Sequence, residues 1–163
     1  MARLAYLGLG TNLGDRVAHL REAIARLNAA IGVRVLRESR IYETEPVGIT
    51  AQPKFLNMVV EVELGDEVTP RELLALAKRL EAEMGRKQTE RWGPREIDID
   101  ILLLGEERIT EPGLVIPHPQ MWERAFVVVP LADLVPEMRA PRGETVEELA
   151  AKLQQAQGIH AHL

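Results

Sequence analysis

Two aspartates, Asp98 and Asp100, stand two positions apart among the isoleucines of the segment 97–101. Side chains alternate along a strand, so both carboxylates are expected to point the same way, about 7 Å apart, with the isoleucines in the core. Such a pair can reach two Mg²⁺ ions, which lie ~3.5–4 Å apart in two-metal sites, and Mg²⁺ prefers carboxylate and water ligands. A D-x-D pair can also be the wet face of an amphipathic strand. Here that face otherwise carries Leu102 and Leu104, so the acids are not part of a generally polar surface.

A basic segment directly precedes these acids. Between positions 86 and 95 four cations stand against one acid, a local charge of +3 in a chain whose net charge is -5. The guanidinium fork matches phosphate oxygens, so this segment favours a polyphosphate held between metal ions and arginines. The alternative is a solvated loop that neutralises Glu81 and Glu83. The four cations are Arg86, Lys87, Arg91 and Arg95.

His118 lies between two prolines, with Arg124 a few residues further on. A lone histidine is more often structural, but the rigid flanks and the nearby arginine make contact with a phosphate an equally weighted hypothesis. The P-loop pattern is absent from the chain. The glycine-rich segment 8–14 has neither the spacing nor the parallel βαβ context of a dinucleotide-binding loop. We therefore assign no phosphate-binding role to that segment.

The composition predicts one ordinary globular domain over residues 1–163, since 46% of the residues are hydrophobic and 28% are charged. The absence of cysteine excludes disulfides, thiolate metal sites and cysteine nucleophiles. The net charge of -5 argues against binding to nucleic acid or to an anionic membrane. The apolar runs are too short to span a bilayer, and the N-terminus has no signal-peptide pattern. We expect a cytoplasmic protein.

Hydrophobic periodicity predicts the order β-α-β-β-α-β over the first two-thirds of the chain. This is the ferredoxin-like α+β pattern, an antiparallel sheet with helices packed on it. Asp15 is expected to cap the first helix, whose apolar face runs from Val17 to Ile31, and a capping box at Thr69 opens the second helix. A C-terminal extension is expected to hold short strands, a helical turn, a helix that starts at Thr145 and a frayed tail. The expected strands cover residues 2–8, 33–42, 55–64 and 97–104.

The third predicted strand has two different faces. One face carries only large apolar residues, from Leu56 to Leu64, and must face the core. The other face places Phe55 and Asn57 side by side on a more polar surface. A turn-rich connection over 45–54 precedes this strand.

Several motifs follow one another along the chain. They are Tyr6-Leu7-Gly8-Leu9-Gly10-Thr11-Asn12-Leu13-Gly14-Asp15, Tyr42-x-Thr44-x-Pro46-x-Gly48, Phe55-Leu56-Asn57, Arg91-Trp92-Gly93-Pro94-Arg95-x-x-Asp98-Ile99-Asp100-Ile101-Leu102 and Ile116-Pro117-His118-Pro119. In this order they resemble the 6-hydroxymethyl-7,8-dihydropterin pyrophosphokinase family, over a match from Tyr6 to about Pro136.

The resemblance implies an enzyme of folate biosynthesis that transfers pyrophosphate from ATP to the hydroxymethyl group of the pterin, giving AMP and the pterin diphosphate. It implies two Mg²⁺ ions on Asp98 and Asp100, with Asp98 also beside the pterin. The implied nucleotide and phosphate contacts are Glu81, Arg86, Arg95, Ile101, His118 and Arg124. Catalysis is assigned to Arg86, Arg95, Asp98 and Asp100. The partners would be these small molecules alone, bound by a monomer.

The resemblance also implies how the pterin is held. Phe55 and Phe126 would sandwich its ring, and Trp92 would lie on a loop that closes over it. The polar edge of the ring would be read by Asn57 and by the Thr44 to Gly48 loop, which includes Pro46 and Val47. A flat ring is efficiently recognised by stacking together with a few in-plane hydrogen bonds.

Some positions depart from the family pattern. Gln88 stands where the family usually has an arginine, which puts one phosphate contact in doubt. Gly113 and Val115 stand where some members have arginine and threonine. Phe55 replaces a tyrosine of many members, which keeps the aromatic face and loses a hydroxyl.

Other readings compete with this one. A two-metal nucleotidyl transferase or cyclase on a ferredoxin-like sheet explains the paired aspartates, but not Trp92 to Arg95 or the pairing of Phe55 with Asn57. An RNA-binding module needs exposed aromatic residues on adjacent strands and a basic face. A non-catalytic small-molecule-sensing domain needs no metal-binding acids. Mg²⁺-dependent ATP binding separates that domain from the enzymes.

Overall fold

The computed structural model describes residues 3–44, 54–85 and 96–162. Its main feature is a six-stranded sheet whose pairings are all antiparallel, with helices on both faces. The predicted α+β class is therefore confirmed. In chain order the elements are β1 (Arg3–Thr11), α1 (Arg16–Ala29), β2 (Val33–Glu38), β3 (Tyr42–Thr44), β4 (Phe55–Leu64), α2 (Pro70–Glu83), β5 (Asp98–Leu104), β6 (Ile109–Glu111), β7 (Leu114–Ile116), a 3-10 turn (Met121–Glu123), α3 (Ala125–Leu134), α4 (Val146–Gln157) and β8 (His160–Ala161).

The sheet runs β5-β1-β4-β3-β8, and β2 pairs with the other half of β4. The single strand predicted over 33–42 is thus two strands. The break lies at Ser39, whose hydroxyl accepts a hydrogen bond from the Val59 N–H at 2.9 Å and donates one to the Arg40 carbonyl at 2.7 Å. Side-chain bonds of this kind compete with the regular ladder. The sheet therefore contains β3 and β8 in addition to the expected strands.

The first face of the sheet packs against α1 and α2. Both predicted caps are confirmed: Asp15 accepts from the Ala18 N–H at 3.1 Å, and Thr69 with Glu72 forms the capping box. The prediction that Ile31 belongs to the apolar face of α1 is wrong, because α1 ends at Ala29 and Ile31 is 94% exposed in the turn that follows.

The second face of the sheet packs against α3 and α4. This covers the β4 face that was expected to be the more polar surface, where Val59, Glu61 and Asn57 are only 0%, 4% and 7% exposed. The expectation was wrong because α3 was not predicted. Its sequence, Ala125–Leu134, is almost wholly apolar and contains Pro130, so it has neither an amphipathic period nor a clear helical propensity.

Strand β5 contains a bulge. Tyr6 lies opposite Leu103 and Leu7 lies opposite Ile101, so Leu102 is an extra residue on β5. Leu102 and Leu103 therefore both enter the core with α3, whereas Leu104 enters the core with α1 and α2. The prediction that Leu104 shares the outer face of Leu102 is wrong for this reason.

The C-terminal tail is a strand and does not fray as expected. His160–Ala161 forms β8 against Tyr42 and Glu43, and the His162 N–H donates to the Ile41 carbonyl at 2.7 Å. The turn at Gly105, the short strands β6 and β7, the 3-10 turn and the helix after Thr145 were all predicted and are confirmed. Within the described residues, no helix combines the length and the apolar character needed to cross a bilayer.

Candidate active site

Four residues lie in one row across the sheet, on the face that also carries α3. Asp98 on β5 lies opposite Gly10 on β1, Gly10 lies opposite Asn57 on β4, and Asn57 lies opposite Tyr42 on β3. Adjacent strands are about 4.8 Å apart, so Asp98 and Asn57 are separated by about 10 Å. The row places an acid and an amide on either side of a strand position that has no side chain.

Two positions along β1, an acid again lies opposite a glycine, because Asp100 lies opposite Gly8, and Gly8 lies opposite Val59. Gly8 and Gly10 are two positions apart and share one face of β1. A Cβ at Gly10 would lie 2.8 Å from the Asn57 Oδ1, closer than real Cβ atoms approach. No role was expected for these glycines, and their place beside the two acids follows from the pairing of β1 with β5.

The two predicted metal-binding acids are held at the same face of β5. Asp98 is half-buried and Asp100 is exposed, with the buried Ile99 between them. Carboxylate oxygens at this spacing suit Mg²⁺, which also keeps several water ligands. The described part of the chain holds no group of three or more His, Asp or Glu side chains that could bind a metal ion. A metal ion bound by this pair would take water or substrate oxygens as further ligands.

Glu81 lies at the outer edge of β5. Its side chain, on α2, is 4% exposed, and its Oε2 accepts a hydrogen bond from the Ile99 N–H at 2.8 Å. Lys78 Nζ lies 3.5 Å from the other carboxylate oxygen. The structure thus shows Glu81 fixing the backbone between the two aspartates, whereas its predicted contact with the nucleotide stays a prediction.

His118 lies near both Asp100 and Arg124, whose charges act on its imidazole. Burial lowers the pKa of His118 below its usual value, the carboxylate of Asp100 opposes this shift, and the charge of Arg124 adds to it. His118 Nδ1 accepts from the Gln120 N–H at 3.3 Å, so in the neutral ring the proton is on Nε2. Arg124 also bonds Gln120 through its side chain. The structure therefore brings together the predicted phosphate-contacting pair and one predicted metal-binding acid.

The predicted pterin-binding residues Thr44 and Asn57 are in direct contact. Asn57 Nδ2 donates to Thr44 Oγ1 at 2.8 Å, which points the amide oxygen toward Gly10. Phe55 lies opposite Thr44 in the β3–β4 pairing and is half-buried. A polar edge and an aromatic face are therefore adjacent at the end of β4.

Phe126 stands at the start of α3 and is half-buried, with the Arg124 guanidinium 5.4 Å from its ring centroid. At the other end of α3, both carboxylate oxygens of Asp133 accept from the Tyr42 hydroxyl, at 3.0 and 2.9 Å. Burial and this contact raise the pKa of Tyr42 to about 12. Helix α3 therefore connects a predicted stacking ring to strand β3.

The remaining predictions have different outcomes. Ile101 has its side chain in the core with α1 and α2, so only its backbone remains available to a nucleotide. Gly113 has a φ of 76° in the turn between β6 and β7, a conformation that an arginine adopts only with strain. The predictions for Pro46, Val47, Arg86, Gln88, Trp92 and Arg95 lie outside the described residues.

Comparison with known proteins gives one consistent result. Residues 6–136 match the family model described as 7,8-dihydro-6-hydroxymethylpterin-pyrophosphokinase (HPPK). A protein of Bacillus subtilis (strain 168) named 2-amino-4-hydroxy-6-hydroxymethyldihydropteridine pyrophosphokinase is 44% identical over 98% of this chain and 95% of its own length. A protein of the same name from Methylorubrum extorquens is 46% identical over 91% of this chain and 92% of its own length.

The similarity extends to longer proteins. A mitochondrial folate synthesis bifunctional protein of Arabidopsis thaliana is 47% identical over 79% of this chain, which corresponds to 23% of that protein. A crystal structure of wild-type Plasmodium falciparum HPPK-DHPS with pteroate superposes with a TM-score of 0.72 at 18% identity, over 97% of this chain and 44% of that one. This chain thus spans less than half of that structure, and the superposition supports the fold alone.

Proposed function

This chain belongs to the 7,8-dihydro-6-hydroxymethylpterin-pyrophosphokinase family, and we propose on that premise that it transfers pyrophosphate from ATP to 6-hydroxymethyl-7,8-dihydropterin in folate biosynthesis. The observation that carries the proposal is the row from Asp98 through Gly10 to Asn57. It holds an acid and a hydrogen-bonding amide about 10 Å apart on one face of the sheet, with a glycine between them. A pterin bound along this row would have the polar edge of its ring at Asn57 and its hydroxymethyl group at the acids.

Recognition of the pterin is assigned to the end of β4. Asn57 gives one N–H to Thr44, which leaves its second N–H and its carbonyl oxygen to pair with a ring edge that has both acceptors and donors. Phe55 and Phe126 supply aromatic faces for stacking, a favourable contact for a flat ring. Gly10 leaves room for the Asn57 amide, whose Oδ1 lies 2.8 Å from where a Cβ would stand.

Two Mg²⁺ ions are assigned to Asp98 and Asp100, whose carboxylates fit the oxygen ligands that this metal prefers. When bound, Mg²⁺ would neutralise phosphate charge and lower the pKa of a coordinated hydroxyl group. The main task of the protein is then to hold the two substrates in line, which is how phosphoryl transfer is generally catalysed.

The phosphates are assigned to His118 and Arg124, together with Arg86 and Arg95 from the sequence motif. Burial lowers the pKa of His118, and because Nδ1 accepts from the Gln120 N–H, Nε2 is the nitrogen that would donate to a phosphate oxygen. Arg124 supplies a permanent positive charge beside it. In the proposed reaction the hydroxymethyl oxygen bonds to the β-phosphorus, the bond between the α- and β-phosphates breaks, and AMP leaves while the hydroxyl proton passes to solvent.

We also propose that residues 1–163 form one domain with a ferredoxin-like core, which acts as a monomer in the cytoplasm and binds no nucleic acid. The pairing order of β5, β1, β4 and β2, with α1 and α2 on one face, supports the core topology. The net charge of -5 supports the absence of nucleic-acid binding.

The product of ATP turnover tests the proposal. The purified protein with Mg²⁺, ATP and 6-hydroxymethyl-7,8-dihydropterin should give AMP and a diphosphorylated pterin in equal amounts. Reactions without the pterin, or with EDTA, are the controls and should give no AMP. Formation of ADP would indicate an ordinary kinase, release of pyrophosphate would indicate a nucleotidyl transferase, and no turnover would indicate a binding module.

A further inference from the structure

Arg16, the first residue of α1, bonds to two segments that are distant in sequence. Its Nη1 lies 3.0 Å from the Oε2 of Glu43 on β3 and 2.8 Å from the carbonyl oxygen of Lys54, which directly precedes β4. One Nη1 has two hydrogens, so a single guanidinium nitrogen can donate to both. Arg16 therefore joins the end of β3 to the start of β4.

The ion pair between Arg16 and Glu43 is less exposed to solvent than another ion pair on the same helix. The side chains of Arg16 and Glu43 are 25% and 30% exposed. Arg21, one turn further along α1, bonds Glu38 on β2 at 2.6 Å, but those side chains are 57% and 38% exposed. Exposed ion pairs are strongly screened by water and contribute little, so the Arg16 contact is the better placed of the two to fix strand positions.

The segments joined by Arg16 are adjacent to the proposed pterin-binding residues. Glu43 precedes Thr44, whose Oγ1 accepts the hydrogen bond that orients Asn57, and Lys54 precedes Phe55. Strand β3 is only three residues long and pairs with β4 at three positions. So short a pairing is weak on its own, and the contacts of Arg16 across its end stabilise it.

We propose that Arg16 is a positioning residue for pterin recognition, which acts by fixing Thr44 and Phe55 relative to Asn57 through Glu43 and the Lys54 carbonyl. This inference rests on the proposed function and extends it to a residue that does not contact the substrate. Loss of the contact would let β3 shift and the Asn57 amide turn, whereas the acids on β5 would keep their place. The loss of the contact should therefore raise the KM for the pterin and leave the KM for ATP nearly unchanged.

Steady-state kinetics with each substrate varied in turn tests this inference. Arg16→Ala should raise the KM for the pterin about tenfold and leave the KM for ATP within about twofold of the wild type. Arg16→Lys keeps one charged donor and should recover part of the loss. Arg21→Ala is the matched control, since it removes the same kind of contact from the same helix, and both KM values should stay at the wild-type level.

The outcomes separate this inference from the proposed function. A wild-type protein that forms no AMP contradicts the proposed function, and this inference with it. AMP formation with equal changes in both KM values, or with no change in the pterin KM, overturns the role of Arg16 alone. If Arg16→Ala does not fold, Glu43→Ala carries the test, because it removes the same ion pair from the strand side and should raise the pterin KM in the same direction.

Discussion

The buried carboxylate of Glu81 accepts a hydrogen bond from the backbone N–H of Ile99, with 2.8 Å between Oε2 and N. Because Ile99 lies between Asp98 and Asp100, this bond fixes the segment of β5 that presents both acids. The carboxylate comes from α2, on the opposite side of the sheet from α3. The position of the two acids thus depends on a helix on the other face of the sheet.

Glu81→Ala should lower the free energy of unfolding by about 1–3 kcal/mol, because the Ile99 N–H loses its buried acceptor. It should also lower kcat, since the acids lose their fixed backbone. Glu81→Gln keeps an acceptor oxygen and should lose less of both. Urea unfolding and AMP formation measure the two effects. Glu83→Ala, at an exposed position on the same helix, is the control, and an equal loss in that variant would contradict the prediction.

Asp98→Asn and Asp100→Asn should each lower kcat at least ~100-fold, since metal binding contributes several kcal/mol to stabilising a phosphoryl-transfer transition state. The melting temperature should stay near that of the wild type, because one acid is half-buried and the other is exposed. Glu106→Gln, in the turn after β5, provides the charge-matched control. A rate near the wild-type value in either aspartate variant would remove the metal-site assignment.

Gly10→Ala should raise the KM for the pterin about tenfold, because the new Cβ displaces an Asn57 amide that lies only 2.8 Å from its position. Gly8→Ala is the matched variant on the same strand face. Its Cβ would lie 3.5 Å from Leu102 in ordinary contact, so it should fold with no loss of stability. Isothermal calorimetry with the pterin checks the binding of both variants. An unchanged pterin affinity in Gly10→Ala would show that the Asn57 amide does not read the ring.

Phe126→Ala should weaken pterin binding about 3- to 10-fold and leave ATP binding nearly unchanged, since an aromatic stack contributes about 0.5–1.5 kcal/mol beyond the buried area. Separate titrations with the pterin and with ATP measure this. Val115→Ala removes an exposed apolar side chain elsewhere and should change neither affinity. Equal losses for both ligands in Phe126→Ala would contradict stacking at this ring.

Glu61 is expected to make stability depend on pH. Hydrogen bonds from Arg37, opposed by burial and assisted by the Tyr6 hydroxyl, lower the pKa of Glu61 below its usual value of 4.5. A carboxyl group with a lowered folded-state pKa stabilises the protein above the unfolded-state pKa, and this contribution is lost as the pH falls through the folded-state value.

Urea unfolding from about pH 6 to about pH 3 measures this effect. The wild type should lose more stability on acidification than Glu61→Gln, whose amide does not titrate in this range. Glu63→Gln, on the same strand but more exposed, is the control and should follow the wild type. Parallel curves for the wild type and Glu61→Gln would contradict the prediction.

Much of the fold could be predicted because its signals are local. The caps at Asp15, Thr69 and Thr145 and the alternation along β4 each depend on residues within one element. Helix α3 could not be predicted in this way. Three consecutive valines at 127–129 and a proline inside the helix favour other structures, and burial between the sheet and α4 overrides those preferences.

The site was predicted as separate parts. Its chemistry could be read from the residue types of Asp98, Asp100, His118 and Asn57, but their arrangement depends on strand register. Register is a tertiary property, because the bulge at Leu102 and the pairing of β1 with both neighbours decide which residues lie opposite one another. The role of Gly8 and Gly10 becomes visible only once that register is known.

Helix α3 links the proposed substrate site to strand β3. Phe126 and Asp133 are seven positions apart on one helix and thus separated by about 10 Å along its axis, and Asp133 bonds Tyr42 on β3. A ligand that packs against Phe126 would therefore also restrain β3, because α3 carries both Phe126 and the partner of Tyr42. Under the proposed function, binding of the substrate would therefore stabilise β3 as well as the site itself.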